Sequence, residues 1–493
     1  MKGLFMKRFL KIKSCFLISA LVGVLPITCY AGAQNEQTIK IQIKDVVQLS
    51  ASNSSPKNAG HTTIQKDDSS KKDTSSKNED DGGVRFQAKG AAQFNVYGVS
   101  AKNRSNITFK KSDEGEVTFS EDEKQRDPLV FSFEKTRIDF QLSDQMDFAS
   151  FNKWTAYVTL NADRGTIKDY TIVPMAYLQL SSPFCTLILG DHSGAAVQLS
   201  YTGNSVLGGS AGFDGNAYKY VGITTGVHVT TKPMGESKES TEILLISQRW
   251  NGIQFGVSLT PSTFSVGSLA PSNPPKYNLS GNSFYDKNLL EAGLNYEAFL
   301  DTNLQLSLSL TGGFGGTRPY YKADTAGPGL DVYKTRFFSV GGILEWDDFS
   351  FAISYTNCLR TGQFKTDLDS VQPEGMDALN YKASEAKAPQ YIIVGASYLM
   401  GDTKFSLGYF RSWNKTGFNG QQARGNVYNA SITYQIQPGV QTFIEGFYHD
   451  LKNPSAMYAG QMLAQRAKSD ESLPPVIGDQ RAKTVLIGIK ISF

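Results

Sequence analysis

The residues whose types and spacing could carry chemistry are few, and most of them alternate with apolar neighbours. Gly208-Gly209-Ser210-Ala211-Gly212 matches the Gly-x-Ser-x-Gly spacing of a nucleophilic serine. That chemistry needs the serine on a sharp turn between a buried strand and a helix, and here a glycine-rich loop surrounds it. His61, His192, His228 and His449 have no second His or Cys at metal-ligand spacing. No catalytic residue, metal or cofactor is therefore expected. Charges on alternating faces suit a different chemistry, the lining of a polar passage. Arg85, Gln87, Lys89, Gln93, Asn95 and Tyr97 share one face of an extended segment, with Phe86, Ala88, Ala92, Phe94 and Val96 on the other. A second segment sets Lys135, Arg137, Asp139 and Gln141 against Ile138, Phe140 and Leu142.

The elements that must position these charges are strands. The last residues, Lys483 to Phe493, place Val485, Ile487, Ile489, Ile491 and Phe493 on one side and Thr484, Gly488, Lys490 and Ser492 on the other. A terminal strand is an open edge unless it pairs with the first strand and closes a barrel. In hydrocarbon that closure is obligatory. It would bring Lys490 to the wall that holds Lys89 and Arg137.

Between residues 84 and 493 we count sixteen alternating segments, starting near Val84, Pro128, Lys153, Pro174, Cys185, Thr241, Ile253, Asn288, Thr302, Arg336, Phe349, Gln390, Thr403, Gly425, Gly439 and Ala482. Short turns such as Asn251-Gly252, Asp347-Asp348 and Gly401-Asp402 alternate with long polar loops at 102–127, 192–240, 262–287 and 360–389. Outer-membrane barrels have this rhythm, with short turns in the periplasm and long loops outside. The clearest segment runs from Leu304 to Thr311, with Leu304, Leu306, Leu308 and Leu310 against Gln305, Ser307, Ser309 and Thr311. Other lumen candidates on the same logic are Glu291, Glu297 and Lys404. Trp154, Trp250 and Trp346 lie beside short turns and Trp413 at the far end of its segment, as aromatic girdles at the two membrane surfaces require.

Composition agrees. There are 46 Gly, 30 Phe and 23 Tyr in 493 residues but only 4 Cys, and a mean hydropathy of -0.29 excludes a bundle of membrane helices. Residues 1–33 read as a signal peptide: a basic start, an apolar run from Cys15 to Ile27 and the small residues Ala31-Gly32-Ala33. Its removal takes five positive charges and no negative ones, turning +3 into −2. Nucleic acid is not a partner that this charge suggests. Residues 34–83 read as a flexible periplasmic extension, with Ile64 the only large apolar residue after residue 50. Residues 84–493 form the barrel. Cys185 and Cys358 fall at opposite ends of it, too far apart for a disulfide.

Several of these segments together resemble the general Gram-negative porins, in their alphaproteobacterial branch. The resemblance is carried by Ala176 to Gly190 (AYLQLSSPFCTLILG), Thr136 to Asp147, Gly208 to Tyr220, Asn251 to Pro261, Leu290 to Ala298 and the terminal strand. It implies a transmembrane antiparallel β-barrel of about 16 strands in the bacterial outer membrane, usually a homotrimer, with a third external loop folded inward. By position that loop is 192–240, and Asp214 is its most central acid. A basic wall of Lys89, Arg137 and Lys490, with Asp139 beside it, would face Asp214 and set a transverse field across the constriction. Where such porins commonly carry Gly-Arg, this chain has Gly190-Asp191-His192, so Asp191 joins the candidate pore residues and the ion preference stays open. The function implied is passive diffusion of small hydrophilic solutes and ions. A substrate-specific channel and a surface adhesin or antigen on a barrel scaffold are the alternatives.

Overall fold

Each polar and apolar alternation in the sequence becomes a strand with one wet and one dry face. The computed structural model describes residues 85–111, 117–126, 129–148, 150–161, 175–210, 212–214, 227–229, 231, 233, 237, 240–263, 284–319, 332–361, 363, 365, 368–369, 380–415, 421–453, 476–477 and 479–492. The signal peptide, the extension, the side chains of Lys135 and Asp214, and Phe493 lie outside that description.

Sixteen strands form the barrel. They are β1 (Arg85–Lys111), β2 (Leu129–Phe148), β3 (Phe151–Asn161), β4 (Met175–Ser181), β5 (Cys185–His192), β6 (Ser240–Ser247), β7 (Ile253–Ser262) and β8 (Phe284–Asp301) in the first half. The second half holds β9 (Leu304–Pro319), β10 (Thr335–Trp346), β11 (Phe349–Asn357), β12 (Lys387–Met400), β13 (Thr403–Lys415), β14 (Gln422–Gln437), β15 (Val440–Lys452) and β16 (Asp479–Ser492). Every strand is antiparallel to the next, and β16 pairs back onto β1 from Ala91 opposite Ser492 to Asn103 opposite Gln480. The ring closes, so no strand edge is left for hydrocarbon to strand without partners. All sixteen segments expected from the sequence are present.

The two faces separate cleanly. On β9, Leu308 and Leu310 are 45% and 53% exposed, whereas Ser307 and Ser309 are 2% and 6% exposed. Leucine therefore points outward and hydroxyls point inward. Phe184, Trp250, Phe299, Trp346 and Phe349 are exposed around the short-turn end, where amphipathic rings suit the headgroup level. The two-residue turn Asn251-Gly252 has positive φ at both positions, 45° and 85°, the geometry whose twist matches a two-residue hairpin. Cys185 opens β5 and Cys358 follows β11 at the opposite end, and neither is in a disulfide.

Two boundaries differ from the sequence reading. The turn expected between Ser143 and Ser150 is shorter, because Asp144 and Gln145 still pair with Trp154 and Lys153 on β3. The loop expected from residue 102 is instead a continuation of β1 to Lys111, paired with Val117–Arg126 and with Val476–Ile477. Strands that run beyond the apolar band need no outward apolar row, so their sequence reads as loop.

Candidate functional site

Sequence places small hydroxyl residues at inward positions on strand after strand, and the chain that follows β5 uses them. Among its described residues are a helical turn, α1 (Ala195–Gln198), and the 3-10 turns Gly203–Val206 and Gly212–Asp214. Its backbone N–H groups cannot pair with a strand, and a buried N–H without an acceptor costs about 1 to 3 kcal/mol. The wall supplies the acceptors. Ala195 donates to Ser258 Oγ on β7 (3.0 Å), Tyr201 to Ser309 Oγ on β9 (2.8 Å) and Gly203 to Ser354 Oγ on β11 (3.3 Å). Gly208 then donates to Ser406 Oγ on β13 (2.9 Å) and Gly209 to Thr433 Oγ1 on β14 (2.9 Å). Room comes from glycine: a Cβ at Gly341 would overlap the Tyr201 carbonyl, and one at Gly395 the Gly203 carbonyl.

Three carboxylates fasten the same segment. Glu445 on β15 accepts from the Ser210 backbone N–H and hydroxyl, at 2.8 and 2.6 Å, and from Asn429 Nδ2 at 2.8 Å. Glu291 on β8 accepts from the Ser237 N–H (3.1 Å) and from Ser258 Oγ (3.3 Å). Glu297 accepts from the Tyr201 hydroxyl and pairs with Arg249 Nη2 at 3.0 Å. Burial first, then the hydrogen bond from its hydroxyl to Glu297 and the charge of that carboxylate, push the Tyr201 phenol above its ordinary pKa. Ser210, the serine of the Gly-x-Ser-x-Gly spacing, is thus a buried anchor bonded to Glu445.

The charged residues singled out in the sequence gather on the other arc. Lys89 on β1 lies opposite Asp139 on β2. Asp139 Oδ1 accepts from Arg137 Nε at 2.6 Å and from Thr159 Oγ1 at 2.7 Å. That leaves the two terminal nitrogens of Arg137 without a protein partner among the described residues, on a side chain 43% exposed. Lys490 lies opposite Gln93 on β1 and Gln441 on β15. Tyr157 and Tyr177 stack beside this group, ring centroids 4.7 Å apart, and Tyr177 meets the edge of His192 at 4.6 Å.

Asp191 does not join them. The register sets Asp191 against Thr241, whose hydroxyl it accepts. Glu242, the neighbour of Thr241 in sequence, accepts from the inward hydroxyl of Thr260. Asp191 therefore sits in the outward row, because side chains one residue apart point to opposite faces; its place in the candidate pore set is corrected. Asp214 ends the turn that packs against β14, three strands round from β1. Glu445, Ser406 and Thr433 were missed, and Ser258, Ser309 and Ser354 were legible only as lumen-facing residues, not as acceptors. Their only signal was small hydroxyls recurring at inward positions, which any wet lumen also produces.

A family model described as Gram-negative porin matches residues 31–454. Among relatives, an uncharacterized protein of Rickettsia prowazekii is 21% identical over 333 residues, covering 57% of this chain and 71% of its own length. An uncharacterized protein of Rickettsia typhi matches with the same identity and coverage. Both fit the alphaproteobacterial resemblance. Solved structures that superpose on the chain include OmpT, an outer membrane protein of Vibrio cholerae, at 11% identity, 83% of this chain, 99% of that one and a TM-score of 0.44. The anion-selective porin from Comamonas acidovorans superposes at 11% identity, 83% of this chain, 100% of that one and a TM-score of 0.43. For the outer membrane channel DcaP of Acinetobacter baumannii the values are 10%, 84%, 98% and 0.43. The family match covers most of the chain, and with the closed sixteen-stranded ring it leads to one conclusion: the chain belongs to the Gram-negative porin family and forms a channel in the bacterial outer membrane.

Proposed function

We propose that small hydrophilic solutes and ions diffuse through the part of the lumen bounded by β16 and β1 to β4, and that the segment after β5 is the constriction. The observation that carries this reading is the one-sidedness of the anchoring. Every acceptor for that segment named above lies on β7 to β15, and its carboxylates are occupied in holding it. The remaining arc carries Lys89, Arg137 and Lys490, with Asp139 bonded to Arg137 and Glu134 at the position opposite Gln93. Excess positive charge on the open wall favours anions. Liposome swelling tests the size limit: neutral sugars should enter at rates that fall steeply with molecular size. Equal rates for small and large sugars, or no entry at all, would rule the reading out.

The active form is a homotrimer in this proposal. β4, β5 and β6 have seven, eight and eight residues, fewer than the ~9–11 that a tilted strand needs to span hydrocarbon. A neighbouring copy that covers these strands removes this difficulty. Native mass spectrometry in mild detergent should give a trimer mass, and Ile243→Arg on the outward face of β6 should reduce it to a monomer. A wild-type monomer that conducts at full size would contradict the assembly.

A further inference from the structure

The open arc carries more unused binding capacity than the passage of ions requires. Gln141 on β2, Tyr157 on β3 and Tyr177 on β4 stand directly opposite one another in one row. Their neighbours Leu142, Val158 and Leu178 are exposed on the outside of the barrel, so the row itself faces the lumen. Tyr157 and Tyr177 are half-buried and stacked, with centroids 4.7 Å apart and planes at 25°. The row ends at Gly190 on β5, which lies opposite Tyr177 and adopts φ 128°. A Cβ there would overlap the Ala176 carbonyl and the Tyr177 Cα, so glycine leaves the tyrosine its room. Tyr177 also packs against the cluster of Ile188, Ala195 and Leu244. That places the tyrosines level with the root of the segment proposed as the constriction, where a passing solute meets the wall.

Two residues toward the long-loop end, the next inward row holds Lys89, Asp139 and Thr159. Arg137 reaches that row from its own strand, through the 2.6 Å contact of its Nε with Asp139 Oδ1. Thr159 Oγ1 donates to the same oxygen. Among the described residues, no protein group pairs with Asp139 Oδ2, the terminal nitrogens of Arg137, the Lys89 amine, the Gln141 amide or the hydroxyls of Tyr157 and Tyr177. On the opposite arc such groups pair with one another: Ser406 bonds Ser431 at 2.6 Å, Ser339 bonds Thr356 at 2.8 Å and Gln441 bonds Gln435 at 2.6 Å. Two aromatic rings therefore stand against the lumen with both donors and acceptors along their rim.

We propose that this row is a binding step for a saccharide ring, seated with its C–H face on the tyrosines and its hydroxyls on Gln141, Asp139 and Arg137. The inference rests on the reading that this arc bounds the open lumen. A pyranose has a face of C–H groups and a rim of vicinal hydroxyls. The C–H hydrogens suit the negative face of a phenol ring. Each hydroxyl both donates and accepts, so a vicinal pair matches a carboxylate oxygen, an amide and a guanidinium that stand side by side. A simple anion would use the cations, leave the rings idle and meet Asp139 as a like charge. An apolar aromatic solute would use the rings and leave the polar rim without partners.

The test is the conductance of many channels of the refolded full chain in a planar bilayer as maltose is added. Block by maltose should saturate. Sorbitol, which carries the hydroxyls without the ring, should give only the proportional fall that its viscosity imposes. Tyr157→Leu keeps the bulk but removes the aromatic face, and should raise the half-blocking maltose concentration about fivefold. Gln141→Ala should raise it about threefold. Heat-modifiable migration on a gel shows that each variant has folded. Saturable block by sorbitol at the same concentrations, a fall that stays proportional to maltose, or an unchanged half-blocking concentration in both folded variants would overturn the inference. A wild type that conducts without saturable block by maltose removes this binding step alone, whereas one that does not conduct removes the open-lumen reading with it.

Discussion

Ser210 donates twice to the same oxygen of Glu445, through its backbone N–H at 2.8 Å and its hydroxyl at 2.6 Å. Hydrogen bonds to a carboxylate are worth about 1.5 to 3 kcal/mol each. This contact fastens the segment after β5 to β15. Ser210→Ala removes one donor and leaves the other, whereas Glu445→Gln removes the charge that strengthens both. We expect Glu445→Gln to give the larger rise in open-channel current noise, with Ser210→Ala intermediate. Noise at the wild-type level in Glu445→Gln would mean that the anchor is not needed.

The hydroxyl acceptors should act locally. Ser354→Ala leaves the buried Gly203 N–H, and Ser406→Ala the half-buried Gly208 N–H, without its acceptor. Each should cost about 1 to 3 kcal/mol. Hydrogen exchange followed by mass spectrometry should show faster exchange in peptides that cover the altered contact and unchanged exchange in β9 and β10.

Glycine substitutions separate close approach from general strand stability. Gly395→Ala pushes a methyl group into the Gly203 carbonyl, whereas a Cβ at Gly98 meets nothing within 4 Å. Overpacking of this kind costs about 1 to 3 kcal/mol. Gly395→Ala should alter conductance by displacing the segment, and Gly98→Ala should not. Equal conductance in the two variants would show that the close contact does not position the segment.

Tyr201 gives a pH dependence with a definite sign. Its folded-state pKa is raised above the unfolded value of ~10. Its contribution to stability is therefore fully present below pH ~10 and is lost as pH rises through the folded-state value. Absorbance titration of wild type against Tyr201→Phe should show one tyrosine that ionises only under strongly alkaline conditions. A Tyr201 phenol that titrates with the exposed tyrosines would contradict its burial against Glu297.

The barrel itself was legible because lipid imposes period two on every strand that crosses it. Leu304 to Leu310 against Gln305 to Thr311 could be read directly, and so could the pairing of the final strand with the first. What could not be read was whatever lipid does not constrain. The extension of β1 to Lys111 carries only Ile107 and Phe109 among polar residues, too short an alternation to read as a strand. Ser354 and Gly395 look like any lumen residues until the Gly203 backbone is seen against both. Asp191 was assigned because it stands where the resembling porins carry Gly-Arg, whereas its side is decided by the register of β5 on β6, which no single strand reveals. Asp214 was assigned by its place in the loop, and the strand against which that turn packs depends on how far the segment travels round the wall.

The most direct test of the central claim is the reversal potential of single channels in a planar bilayer under a salt gradient, for wild type and for Arg137→Gln. The open wall described above predicts stable conductance steps, a wild-type potential of the sign given by anion flux, and a shift toward cation flux when Arg137 loses its charge. Cation preference in the wild type, or an unchanged potential in Arg137→Gln, would contradict it.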